Sequence, residues 1–202
     1  MKQTNDQLLG KFRKLSEWMI ADTQRAMFEA RANFLVAQGL LNYTEIVGSF
    51  IVPDGNSGER FDAFFDRMGQ PYRDLLKRFN RRRKKNPHIV YDDLRCGLAH
   101  EYVIKRKSFT ILNTAKEMSD EDISRIRIRA SDGTKKILEC GIIHDKTEKG
   151  GRWVIVNPKY WLDFKNALEA YWNELQVRNN KDLRKSVFKR ARKINLLRFQ
   201  NY

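Results

Sequence analysis

Arg95 and His100 stand five residues apart in the stretch Tyr91-Asp-Asp-Leu-Arg-Cys-Gly-Leu-Ala-His-Glu101, and side chains of these two types are suited to cutting RNA. Cleavage by RNA's own 2′-hydroxyl needs a group that moves a proton near neutral pH and a fixed cation for the charge that develops on phosphorus. Histidine, with an unperturbed pKa of about 6.5, fits the first task. Arginine, permanently charged and forked, fits the second. The competing reading is structural: His100 ends a helix as an ordinary hydrogen-bonded histidine, and Arg95 pairs with Asp92 three residues back.

Leu94, Leu98 and Tyr102 recur every fourth residue, which predicts a helix with an apolar stripe. Asp92 and Asp93 fall early in that helix, where negative charge suits the positive end of its dipole. Gly97 weakens a helix by roughly 1 kcal/mol relative to alanine but lets another helix come close. On a regular helix Arg95 and His100 are separated by about 7.5 Å of rise and about 140° of rotation. The long arginine must therefore reach round to a cleft that the imidazole lines. Gly97, Cys96 and Asp93 would be the near neighbours of His100 on its face, and Asp92, Asp93 or Glu101 could orient either group.

Leu94-Arg-Cys-Gly-Leu-Ala-His100 resembles the Arg, four residues, His motif of the HEPN superfamily, the "higher eukaryotes and prokaryotes nucleotide-binding" helical domains. The resemblance implies an up-and-down helical bundle, usually a homodimer in which the motif helices of two protomers face each other across a composite cleft. It also implies a metal-independent ribonuclease of a toxin–antitoxin, abortive-infection or antiviral system, with no cofactor and with an antitoxin or defence-system protein as partner. In those terms Arg95 and His100 are the catalytic pair, supported by Asp92, Asp93, Cys96 and Glu101. The sequence departs from the family at Cys96, where active members more often carry Asn, Asp or His. A noncatalytic HEPN module that binds RNA or protein is the alternative expectation.

Charge agrees with an RNA partner. The chain carries a net +15, from 40 Lys and Arg against 25 Asp and Glu. Residues 73 to 85 hold eight basic side chains (Arg73, Lys77, Arg78, Arg81, Arg82, Arg83, Lys84, Lys85) against Asp74 alone. Residues 177 to 202 hold nine against Asp182 alone, and these two segments account for the whole excess. Clustered charge reads as a footprint for phosphates, or else as a solvated face. The first cluster ends just before the Arg95 segment, so Arg78, Arg81, Arg82, Arg83, Lys84 and Lys85 are the candidate nucleic-acid contacts.

The elements that must hold these residues are mostly helical. Phe12, Leu15 and Met19, then Phe28, Leu35 and Ile46, recur on helical spacing over residues 4 to 49. Pro53-Asp-Gly-Asn-Ser-Gly58 is a turn signal. Phe61, Phe64, Phe65 and Met68 predict a short core helix, and Leu75, Leu76 and Phe79 a second one after Pro71. Beyond the motif the period changes to two, with Ile126 and Ile128 alternating with Arg125, Arg127 and Arg129. Ser131-Asp-Gly133 is a hairpin signal before residues 136 to 144, and Gly150-Gly151 precedes Trp153-Val-Ile-Val156. With residues 103 to 112 this predicts an antiparallel meander of three or four strands. Asn157 as N-cap and Pro158 in the first turn open a helix whose apolar face holds Trp161, Phe164, Leu168, Trp172 and Leu175.

The expectation is thus a mainly α (α+β) HEPN-like bundle, one domain over residues 1 to 176. A small antiparallel β-meander, about 103 to 156, sits before a closing helix that covers the motif helix. A basic helix or tail follows at 177 to 202, readable as an RNA arm, a contact to an anionic membrane or a dimer element. The polar start is no signal peptide, and no run approaches the roughly 18 apolar residues of a membrane span. Cys96 and Cys140 lack disulfide or metal spacing, and with only His88, His100 and His144 present a zinc site has little support. These features point to a reducing cytoplasm.

Overall fold

Thr4 starts the first helix with a capping box, its hydroxyl accepting from the Gln7 amide at 3.3 Å while its own amide donates to the Gln7 side chain at 3.1 Å. The computed structural model describes residues 4 to 80, 87 to 100, 108 to 113, 116 to 129, 134 to 145, 151 to 177 and 179 to 196, and their side chains except at 99, 100 and 108 to 110. The protein is mainly helical with a small β region. Helix α1 is Asn5–Phe28, with Leu8, Phe12 and Met19 on its buried face. A turn in which Arg31 takes a positive φ of 51° leads to α2, Asn33–Ile51. Leu35 and Ile46 do not join the core, being 61% and 38% exposed. The buried stripe of α2 runs instead through Val36, Leu40, Leu41 and Val47.

Helix α3 is Ser57–Phe65, and its N-cap Asn56 forms a second capping box with Glu59. The turn signal before residue 58 therefore ends in a helix start. Gly48 of α2 faces the backbone of α3, and a Cβ there would lie 1.6 Å from the Arg60 carbonyl oxygen. Phe61, Phe64 and Phe65 are fully buried, as their spacing predicts. Phe65 meets Tyr72 edge-on at 4.8 Å, and Phe64 meets Phe164 at 5.3 Å. After a 3-10 turn, Asp66–Met68, helix α4 covers Gln70–Asn80. The Arg95 segment follows as α5 (Ile89–Tyr91), a π-helical stretch (Asp92–Cys96) and α6 (Gly97–His100).

The strands depart from the expected meander. β1 (Ser108–Leu112) pairs in parallel with β5 (Arg152–Val156), placing Ile111 opposite Ile155 and Leu112 opposite Val156. β4 (Ile142–Asp145) pairs with the other edge of β5 in antiparallel fashion, giving the order β1-β5-β4. Parallel neighbours need a long crossover, and the roughly 40 residues between β1 and β5 supply it. β2 (Arg127–Arg129) and β3 (Lys135–Ile137) form a separate antiparallel pair. The Ser131-Asp-Gly133 turn lies outside the described residues. Arg125 is not part of the strand, because it caps α7 (Asp120–Ser124), a short helix opened by the Ser119 hydroxyl.

Helix α8 is Asn157–Gln176. Asn157 is its first residue and not its N-cap; the buried side chain donates to the Asn33 carbonyl at 2.9 Å, pinning the end of β5 to the start of α2. Within α8, Lys159 is paired with Asp163, which also accepts from Tyr72 at 2.6 Å and from the Gly141 amide at 3.1 Å. This buried network ties the loop before β4 to α4 and α8. α8 packs mainly on α1, α2 and α7, whereas the Arg95 segment packs mainly on α2, α3 and α4. The closing helix is thus seated beside the bundle's first pair and does not act as the principal cover of the motif.

Helix α9 is Lys181–Lys193, and its Val187 and Ala191 are completely buried in the same core as α1 and α2. α2 is the one described helix long and apolar enough, by length and composition alone, to cross a membrane, although Asn33, Gln38, Asn42, Thr44, Glu45 and Ser49 interrupt its apolar residues. Its setting is that of a central core helix, packed by α1, α3, α8 and α9.

Candidate functional site

At the Arg95 segment the backbone leaves the α-helical pattern. The Gly97 amide donates to the Asp92 carbonyl five residues back, the bond that defines a π turn, as well as to the Leu94 carbonyl. The stretch Asp92–Cys96 contains both acids, the arginine and the cysteine singled out above. π turns are rare and occur mostly as single-turn bulges, frequently at functional sites. Leu94 is fully buried and Leu98 nearly so, as the apolar stripe predicts. Tyr102 and Glu101 lie outside the described residues. His100 ends α6, and its side chain also lies outside the description.

Arg95 does not take the local Asp92 as its ion-pair partner. Its Nε stands 3.1 Å from Oε2 of Glu45 on α2, with the arginine side chain 28% and the glutamate 17% exposed. The two atoms are close but misaligned for a hydrogen bond, so charge holds the pair. Asp93 accepts from the indole nitrogen of buried Trp153 at 3.2 Å, which links the segment to β5. Phe79, His144 and Trp153 pack ring against ring, with centroids 4.7 to 5.0 Å apart. Cys96 is a half-buried free thiol beside the Tyr91 hydroxyl. Burial, and after it that contact, pushes the Tyr91 phenol up to about 12, while a hydrogen bond with Ser57 works against the rise.

A second polar group borders the segment. His88 Nδ1 lies 2.7 Å from Asp62 Oδ2, and Asn80 donates to the same oxygen at 2.8 Å. Asn80 accepts from the Val90 amide at 3.1 Å, so one amide side chain locks the end of α4 to the start of α5. Gly58 makes room for the imidazole, since a Cβ there would lie 2.5 Å from the His88 ring. Burial raises the Asp62 carboxyl above its ordinary range, opposed by His88 and Asn80, and the charge of Asp92 adds to the rise.

Sequence reasoning missed Glu45, Asp62, His88 and Asn80 as neighbours of the motif. Asp62 and His88 are 26 positions apart, and no periodic or motif signal joins such a pair. Of the basic run, Arg78 is half-buried with its guanidinium 5.0 Å from the Phe79 ring. Arg81, Arg82, Arg83, Lys84 and Lys85 lie outside the described residues. No group of three or more His, Cys, Asp or Glu is placed to hold a metal ion among the described residues. The arrangement can therefore present a fixed guanidinium, a nearby carboxylate that neutralises it, and a basic approach from the end of α4. Comparison with protein-family models, curated proteins and solved structures finds no match.

Proposed function

We propose that this protein is a HEPN-like, metal-independent endoribonuclease of a bacterial toxin or antiviral defence system, working as a homodimer through the Arg95 segment. The observation that carries the reading is the π turn over Asp92–Cys96, an irregularity centred on the residues whose chemistry suits RNA cleavage. The helical bundle and the basic stretch that precedes the segment agree with it. In this mechanism the 2′-oxygen attacks the adjacent phosphorus, the O2′–P bond forms and the P–O5′ bond breaks. His100 takes the proton of the 2′-hydroxyl or supplies one to the departing 5′-oxygen. Arg95 stabilises the charge on the phosphorane oxygens. The products are a 2′,3′-cyclic phosphate and a 5′-hydroxyl.

Labelled total RNA incubated with purified protein in excess EDTA tests this. Cleavage by the wild type that is lost in both Arg95→Ala and His100→Ala supports the reading; cleavage that survives both substitutions rejects it.

Two observations favour a second reading, a noncatalytic HEPN-like module that binds RNA or a protein. Arg95 is already neutralised by Glu45, and Cys96 offers Tyr91 a thiol where a polar catalytic neighbour is expected. RNA retained by the wild type without any cleavage selects this alternative.

A further inference from the structure

The basic C-terminal helix carries chemistry that the Arg95 segment does not use. On α9 the residues Lys181, Arg184, Lys185, Phe188 and Arg192 follow a spacing of three and four, which puts them on one helical face. Together with Asn5, the first residue of α1, whose side-chain oxygen accepts from Arg192 at 2.9 Å, they line an open groove of about 900 Å³. Phe188 is half-buried, with the guanidiniums of Arg184 and Arg192 5.9 Å and 6.0 Å from its ring centroid. Arg184 approaches Asp6 at 3.8 Å, and Lys189 is paired with Asp54. Lys181, Lys185, Arg192 and Lys193 have no carboxylate within 4 Å among the described residues.

We infer that this groove is a binding surface for single-stranded RNA, separate from the Arg95 segment and indifferent to base sequence. Unpaired cations along a helix edge track a phosphate backbone, and an aromatic flanked by arginines offers a base a stacking face. From Lys181 to Lys193 the helix rises about 18 Å, room for about five nucleotides at the per-strand spacing of a stacked strand. A membrane surface fits less well, because an interfacial helix must offer its apolar face to lipid, and here Val187 and Ala191 are spent inside the core. A second copy of this chain fits less well too, since a two-fold contact would set like charges against each other.

The inference does not depend on cleavage, so its test uses an oligouridine that cannot be cut, with 2′-O-methyl groups in place of the 2′-hydroxyls. Anisotropy titrations over a series of salt concentrations compare the full chain with Lys181→Gln/Lys185→Gln/Lys193→Gln and with Phe188→Leu. The triple variant should bind more weakly, and its slope of log K against log salt should be shallower by about 2, at about 0.7 per lost contact. Phe188→Leu should weaken binding about tenfold with little change in slope. Unchanged affinity and slope in the triple variant overturn the inference. So does loss of binding to anionic phospholipid vesicles in that variant while RNA binding is retained. If instead Arg95→Ala alone abolishes oligouridine binding, the α9 surface is rejected and the reading of the Arg95 segment stands. If RNA cleavage is absent throughout but the salt slopes shift as stated, the α9 surface stands without it.

Discussion

Arg95 and Glu45 form an ion pair that any phosphate must displace. At roughly 1 kcal/mol for a partly exposed pair, the glutamate would compete by about fivefold with the RNA of the proposed function. Glu45→Gln should raise RNA affinity by about that factor, most visibly at low salt, and anisotropy titration measures it. An unchanged affinity would mean that Arg95 is not a phosphate contact. Leu94 and Leu98 were readable from sequence because burial of a stripe leaves a period in the chain itself. The glutamate was not, because its partner lies 50 positions away on another helix and nothing local in either segment encodes the meeting. For the same reason the alternative pairing of Arg95 with Asp92, attractive by spacing, was wrong: the π turn and the carboxylate on α2 outweigh proximity in sequence.

At the scale of the elements, the bundle depends on places where two backbones nearly touch. Gly48 on α2 is such a place, with the α3 carbonyl of Arg60 directly against it. Gly48→Ala should cost about 3 kcal/mol or more, because a backbone cannot yield as a flexible side chain can. A urea titration that moved by much less would show that the two helices slide apart easily. The helices themselves were largely legible: the Pro53 to Gly58 turn and the aromatics of α3 declare themselves over a few positions, whereas the cap read at Asn157 proved to be the first residue of α8. α7 was legible too and was passed over, since Ser119 followed by Asp120, Glu121 and Asp122 is a helix start. The strand pairing was not legible. An apolar run such as Trp153 to Val156 looks alike whether its neighbour is parallel or antiparallel, and the parallel partner β1 comes from far upstream. A π turn of five residues likewise leaves too short a record to establish a period.

Over the whole molecule, the charged helix α9 doubles as part of the core. Its outer side is strongly basic, and its inner side fills space against α1 and α2 with Val187 and Ala191. Val187→Ala should therefore destabilise the entire chain by about 2 kcal/mol and lower its melting temperature by about 6 °C in one transition. A first transition confined to a small part of the helical signal would instead make α9 an independent appendage.

The order in which the chain is made gives this arrangement a further meaning. Helices α1 and α2 are made before α9, and until α9 follows, the seat of Val187 and Ala191 against them stays open to water. The growing chain thus carries an unfilled apolar furrow along α1 and α2, a surface open to chaperones, and α9 serves as the plug that ends that exposure.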